Sequence, residues 1–269
     1  MHGKMLVVLV AGLLGAACDS GGGGGNGPAE DTAPPEDTTS PECTLPDLTG
    51  KAFRIIFLAS TEPTDVLNPT FELDIAEYVN VIIFHVVEHN VEEGYITMTA
   101  GPCSTEFEDP DATPLVPKAF HYAVETIPFR VNLDGCRFDI AEAAVLDMMF
   151  ATLNKPYRID RLFGSGVIKE DLSGITEGHL EGGITLETTL DLCTTIPGLG
   201  VVNFHWFMNL AHICPNMDVD EDGTFDAYYF KGTFDATDVT DLFVPGDVVP
   251  IVSLVDECPL NDDECVPVD

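Results

Sequence analysis

The sequence predicts a mainly β fold, an antiparallel β-sandwich-like domain that carries a short disulfide-stapled helical excursion at about residues 185–213. The first observation behind this prediction is that most apolar segments after residue 50 are short and rich in β-branched or aromatic residues, as strands are. The second is that one segment, which contains Cys193 and precedes Cys214, has the start and stop residues of helices. Together these observations predict a sheet with one helical, cross-linked insertion.

Strands are predicted wherever these short apolar segments occur. Val79–Val87 holds six β-branched residues in nine, and such a near-continuous apolar run is typical of a strand buried on both faces. Asp226–Ala236 instead alternates aromatic residues and glycine with polar residues, which predicts one buried face. Ala141–Leu153 is compatible with either a strand or a helix. The predicted strands are Ala52–Leu58, Val79–Val87, Tyr95–Ala100, His121–Val131, Phe138–Phe150 and Asp226–Ala236.

The excursion is predicted to contain two helices. Thr185 is a suitable N-cap for a helix over Leu186–Cys193, which a Pro-Gly pair would end. The aromatic-rich segment Leu199–Ile213 would form the second helix. A disulfide between Cys193 and Cys214 would then staple this helical hairpin to the sheet.

The N-terminus has the features of an export signal. A basic start precedes twelve apolar residues, Leu6–Ala17, which suit a signal peptide and are fewer than the ~20 needed to span a bilayer. Small residues then lead to Cys18, and this arrangement is similar to the lipobox of bacterial lipoproteins, although Gly15 stands where a leucine is usual. The resemblance implies a signal peptide at 1–17, an acylated Cys18 and anchoring in the cell envelope, on its periplasmic or surface face. The alternative is ordinary cleavage before Cys18.

Residues 18–42 are predicted to be a lipid-anchored, disordered tether. They consist of a glycine run followed by Pro, Thr, Asp and Glu, and contain almost no apolar side chains that could offset the entropy of ordering. Because no second linker of this kind occurs, residues 43–269 are predicted to form a single mainly-β domain.

The composition is strongly acidic, with a formal net charge of −35. Such a surface repels nucleic acid, which is therefore excluded as a partner, and it attracts cations. Eight cysteines in an exported chain predict disulfides, for which Cys193, Cys214, Cys258 and Cys265 are the candidates as two local pairs. If Cys18 carries lipid, seven cysteines remain, so one of them must be free or bonded to another molecule.

One loop has the pattern of a calcium site. Calcium prefers six to eight oxygen ligands, and alternate residues of a tight loop direct their oxygens inward. The loop resembles the Asp-x-Asp-x-Asp-Gly-x-x-Asp loops of thrombospondin type 3 repeats and related exported proteins. Tyr229 occupies the position where an EF-hand has a bidentate Glu, so Asp235 or Asp238 would have to complete the shell. The alternative is an acidic turn without an ion. The candidate ligands are Asp218, Asp220, Asp222, the Thr224 carbonyl and Asp226.

A second motif raises a catalytic hypothesis. His85, Glu88 and His89 match the His-x-x-Glu-His zinc motif of inverzincin metalloproteases. The resemblance implies that the protein is a secreted metal-dependent hydrolase. That chemistry requires a helix, and in a strand His85 and His89 would share one face while Glu88 points away. His205 and His212, two helical turns apart, are more often core residues than ligands in such an aromatic segment.

The leading expectation is therefore a non-enzymatic, calcium-stabilised module that binds an unknown ligand or has a structural role in the envelope, held at the membrane by its N-terminal lipid. The alternatives are the hydrolase and a carbohydrate-binding module, which would need Tyr228 and Phe230 in an exposed row of aromatic rings.

Overall fold

The structure, a computed structural model, describes residues 43–62, 68, 75–196 and 200–255. The predicted signal peptide at 1–17, the tether at 18–42 with Cys18, and the predicted pair Cys258 and Cys265 lie outside the described residues. In chain order the elements are β1 (Ala52–Glu62), β2 (Ile82–Asn90), β3 (Tyr95–Phe107), β4 (Pro117–Tyr122), β5 (Phe129–Asp134), β6 (Arg137–Ile140), β7 (Ala144–Met148), β8 (Tyr157–Ile168), β9 (Gly174–Thr185), α1 (Leu186–Leu190), β10 (Cys193–Ile196), β11 (Gly200–Asn203), α2 (Phe204–Leu210), β12 (Ala227–Asp238) and β13 (Phe243–Val248).

Eight of these strands form a closed antiparallel barrel with the order β3-β2-β1-β12-β9-β8-β6-β5. The sheet closes because β3 also pairs with β5, from Tyr95↔Asn132 to Met98↔Phe129. The mainly β prediction is thus confirmed, while the predicted sandwich is wrong. A sandwich and a barrel bury the same alternate residues of each strand, so the alternation in the sequence does not distinguish them.

β3 contributes to two parts of the fold because it is 13 residues long. Its first half closes the barrel, and its second half pairs with β4, which in turn pairs in parallel with β13. These two strands cover the outer wall of the barrel over a small second core that includes Ile83, Cys103 and Phe243. Residues of β2 therefore have an apolar environment on both faces, as the composition of Val79–Val87 predicted.

The barrel interior holds the main core, and alternate residues point into it. In β12 the buried positions include Tyr228, Phe230 and Phe234, which confirms the alternation predicted for Asp226–Ala236. The ambiguous segment Ala141–Leu153 contains strand β7, which pairs with β8.

The excursion leaves the sheet after β9, as predicted, but its two helices are shorter than expected. The helices cover only Leu186–Leu190 and Phe204–Leu210, and β10 and β11 form a two-stranded ribbon between them. The β-branched residues of the ribbon explain the difference, because side chains branched at Cβ favour strands. Asn203 then caps α2 by accepting a hydrogen bond from the Trp206 N–H at 3.0 Å.

The disulfide that joins two described residues is Cys43–Cys136, a pair that the sequence analysis did not select. Cys193 and Cys214 are each disulfide-bonded. The predicted bond between these two cysteines is not among the disulfides of the described residues. Cys103 is free and buried in the second core.

Candidate functional site

An apolar cavity of about 150 Å³ lies between the barrel wall and the excursion. On the wall side it is lined by strands β1, β2, β8, β9 and β12, and on the cover side by the segment after β7, by β10 and by α2. The principal wall residues are Leu58, Ile82, Ile159, Leu180, Ile184 and Phe230, and the principal cover residues are Phe150, Leu153, Leu192, Phe204 and Phe207. The excursion therefore acts as the cover of the barrel interior.

Part of the barrel interior is filled by side chains. Phe53, Val86, Ile96 and Val131 are 0% exposed and do not line the cavity. The cavity is lined by other core residues, among them Ile159, Leu180 and Ile184. The barrel is thus packed in one part and hollow beneath the excursion.

Among the described residues, the cavity lining contains no ionisable group other than one tyrosine. Its polar members are Asn80, Thr152, Tyr157, Thr194 and Thr195, and all other lining residues are apolar. Burial raises the pKa of the Tyr157 phenol above its ordinary range, so this hydroxyl keeps its proton at neutral pH. Such a lining favours an uncharged, largely apolar occupant.

His205 is a satisfied core residue of α2, which is the role favoured by its aromatic surroundings. Its Nδ1 lies 2.6 Å from the hydroxyl oxygen of buried Tyr228, and its Nε2 lies 3.1 Å from Nδ2 of Asn209. His212 lies beyond the end of α2, is exposed and has a positive φ of 57°. The two histidines therefore have different environments and do not form a common site.

The acidic loop brings three predicted calcium ligands together. Carboxylate oxygens of Asp218, Asp220 and Asp222 lie within 4.8 Å of one another. The Gly223 N–H donates to Asp218 Oδ2 at 2.8 Å, and Gly223 has a φ of 92°, the left-handed conformation that the sharp turn requires. Asp226 belongs to the same loop, because its Oδ1 accepts a hydrogen bond from the Val219 N–H at 2.9 Å.

The two residues expected to complete the calcium shell, Asp235 and Asp238, do not lie at the loop. Asp235 lies eight residues along β12 from Ala227, about 26 Å from the loop at the rise of a strand, and Asp238 lies farther and binds Lys51 Nζ at 2.8 Å. Neither residue can complete the shell. Tyr229 donates its hydroxyl to Glu181 at 2.7 Å, and burial together with this contact raises its pKa to about 12.

The loop is attached to the barrel wall at two points. The ion pair between Arg161 of β8 and Glu221 of the loop measures 2.9 Å. Gly183 of β9 allows the loop to approach closely, because a Cβ at this position would lie 2.8 Å from Met217 Sδ and 2.9 Å from Val219 Cγ2. The loop and the strands that line the cavity thus form one packed region.

The His-x-x-Glu-His segment lies in strand β2, so the helix on which the hydrolase hypothesis depended is absent from this described segment. The expectation that His85 and His89 share one face is also wrong. A bulge between Val86 and Glu88 shifts the register, so that His89 pairs with inward-facing Ile96.

The three side chains of this motif have separate partners. The His85 ring packs at 5.0 Å from the Phe243 ring on the outer wall, Glu88 accepts a hydrogen bond from Thr97, and His89 Nδ1 accepts the Leu48 N–H at 3.1 Å. They do not converge on a common point. Tyr228 and Phe230 are 1% and 8% exposed, so they do not form the exposed aromatic row that the carbohydrate-binding alternative required.

No family model, curated protein or solved structure matches this chain. Among the described residues, neither helix has the length and apolar character needed to cross a membrane. The cavity itself was not predicted from the sequence. Its lining residues resemble ordinary core residues, and the only local signal was the unusually apolar insertion that covers it.

Proposed function

We propose that this protein is an exported, lipid-anchored binding module whose barrel holds a small apolar molecule beneath the excursion. The observation that carries the proposal is the 150 Å³ cavity with its uncharged lining. An eight-stranded barrel has an interior wide enough for packed side chains or for one small ligand. An apolar cavity of this size remains dry when empty and accepts molecules such as benzene. Binding is therefore favoured over a purely structural role in the envelope.

The first experiment measures the binding of toluene to the chain carrying Cys18→Ser, which cannot be acylated. We expect saturable binding, with shifts in the methyl NMR signals of Leu180 and Ile184 that line the cavity. Ile184→Phe would fill the cavity and abolish binding, whereas Ile184→Val keeps it open and serves as the matched control. Wild-type protein that does not bind toluene would overturn the proposal.

The cysteines support the lipid anchor. Cys103 is free, while Cys43, Cys136, Cys193 and Cys214 are all disulfide-bonded. If Cys18 is acylated and Cys103 stays reduced, six cysteines remain, an even number that leaves no unpaired thiol. The odd count of seven is therefore compatible with acylation. Mass spectrometry of the N-terminal peptide tests this directly, and an unmodified Cys18 in membrane fractions would contradict it.

We also propose that the loop at 218–226 binds one calcium ion with a structural role. The support comes from the clustered carboxylates of Asp218, Asp220 and Asp222 and from the N–H groups that orient them. With no bidentate Glu at the last position, affinity should lie near the ~10⁻⁴–10⁻³ M of extracellular calcium modules. The ion would strengthen the junction between α2 and β12.

The test is the metal content of the protein after dialysis against millimolar calcium with trace zinc. We expect about one calcium per chain, lost in Asp220→Ala. Asp171→Ala is the matched control, because Asp171 also accepts a backbone N–H in an exposed turn but lies outside the loop. Absence of bound calcium would leave the loop as an acidic turn.

A further inference from the structure

The polar groups of the cavity are concentrated on its cover side. Thr152, Thr194 and Thr195 come from the segment after β7 and from β10, which are joined by the Leu153↔Thr194 bridge and by the Thr195 N–H donating to Thr152 O at 3.1 Å. The strands of the opposite wall, β1, β2, β9 and β12, contribute only apolar side chains to the lining. These four strands give the cavity one apolar side, while Tyr157 of β8 and Asn80, which precedes β2, are its remaining polar lining residues.

Tyr157 is the largest of these polar groups. It begins β8, pairs with Met148 of β7 and packs its ring 6.5 Å from the Phe150 ring. Its side chain is half-buried and lines the cavity, yet its hydroxyl makes no hydrogen bond to any described residue. Burial raises the pKa of this phenol, so the hydroxyl remains a donor. A hydroxyl of a cavity-lining residue that has no protein partner favours a ligand that supplies an acceptor.

The lining disfavours an anionic ligand group at this place. The lining residues that the structure describes include no lysine, arginine or histidine that could pair with a carboxylate. The nearby Lys155 is engaged with Asp191 at 3.6 Å, and the chain carries a net charge of −35. Moving an unpaired carboxylate from water into such a cavity is strongly unfavourable.

We infer that the ligand is a small neutral amphiphile, with an apolar body against the barrel wall and a hydroxyl or carbonyl oxygen that accepts a hydrogen bond from Tyr157. This inference rests on the proposed function, since it requires the cavity to be a binding site. It specifies which end of the ligand lies at Tyr157 and which ionisation state the site selects.

The experiment compares three probes that share one ring: toluene, benzyl alcohol and benzoate. Their dissociation constants are measured by NMR titration of the Cys18→Ser chain and of the same chain with Tyr157→Phe. We expect the Phe variant to weaken benzyl alcohol about 3- to 10-fold and to leave toluene unchanged, as loss of one hydrogen bond predicts. Tyr122→Phe is the matched control, because Tyr122 is a buried tyrosine of the second core that bonds to Thr99.

Each outcome separates this inference from the proposed function. Equal affinity of Tyr157→Phe and wild type for benzyl alcohol, or binding of benzoate as tight as that of the alcohol, would overturn the inference while toluene binding preserves the function. Failure of all three probes would overturn the function itself. If Tyr157→Phe does not fold, the inference is tested by the NMR signal of the Tyr157 ring carbon bonded to oxygen, measured in the Cys18→Ser chain that keeps this tyrosine. This signal should shift more with benzyl alcohol than with toluene, which acts on it only through contact and ring current, and equal shifts would overturn the inference.

Discussion

His85 is a half-buried ionisable residue whose environment has consequences for stability at the residue scale. Its ring packs against Phe243 on the outer wall, and burial lowers its pKa below the ordinary value of about 6.5. The unfolded chain therefore binds a proton at His85 at a higher pH than the folded chain does. As the pH falls through 6.5 toward the folded pKa, proton uptake by the unfolded state lowers the free energy of unfolding.

We predict that His85→Gln removes part of this loss of stability on acidification. The measurement is urea unfolding between pH 7.5 and pH 5, with the free energy of unfolding plotted against pH. His179→Gln is the control, since His179 is exposed on β9. An unchanged slope in His85→Gln would mean that other groups account for the pH dependence.

Local backbone geometry determines whether the residues of a sequence motif lie together in the structure. The bulge between Val86 and Glu88 places His85 and His89 on opposite faces, and no local pattern in β2 predicts that shift of register. In contrast, the short-range pattern of Asp218, Asp220 and Asp222 was sufficient to predict their clustering. Loop geometry depends on neighbours in sequence, whereas a bulge is defined by the partner strand.

At the element scale, Asn203 connects the parts of the excursion. It is 1% exposed, its Oδ1 accepts the Trp206 N–H at the start of α2, and its Nδ2 donates to Leu190 O at the end of α1 at 2.6 Å. This one side chain therefore caps one helix and satisfies the end of the other. Its loss would loosen the cover of the cavity.

We predict that Asn203→Ala costs about 1–2 kcal/mol of stability, from the lost cap and the lost hydrogen bond to the Leu190 carbonyl. Hydrogen exchange should accelerate in residues 186–210 more than in β2 or β3. Asn132→Ala is the control, since Asn132 occupies an exposed position of β5 and its contact with Asp139 lies at the surface. A uniform acceleration across the barrel would contradict an independent role for the excursion.

At the scale of the whole molecule, Cys43–Cys136 joins the start of the described domain to the turn between β5 and β6, across 93 residues. A cross-link over a long loop restricts the unfolded chain, so its removal lowers the free energy of unfolding. We predict that the double variant Cys43→Ser, Cys136→Ser loses about 2–5 kcal/mol, measured by denaturant unfolding.

The control for this prediction is the free thiol Cys103. Cys103→Ala should cost about 1 kcal/mol, because a buried free cysteine behaves as a small apolar side chain. In the native protein Cys103 should resist alkylation, because it is buried and its burial raises the thiol pKa. A double variant as stable as the wild type would show that the strand pairings alone restrict the chain.

The sequence by itself determined the mainly β class, the strands β1, β2, β3 and β12, the inward residues of β12 and the place where the excursion leaves the sheet. These features follow from side-chain patterns over a few residues. The sequence did not determine the 12-residue strands β8 and β9, and the predicted strands His121–Val131 and Phe138–Phe150 are each divided between two strands. The export signal and the acylation of Cys18 stay predictions.

Tertiary structure alone decided barrel closure, the disulfide partner of Cys43 and the hollow beneath the excursion. Each of these depends on which distant segments meet, as when β3 pairs with β5 or β1 with β12. Alternation in a strand indicates that one face is buried, but it does not indicate whether that face packs against other side chains or lines a cavity. A cavity wall and a packed core therefore look the same in sequence.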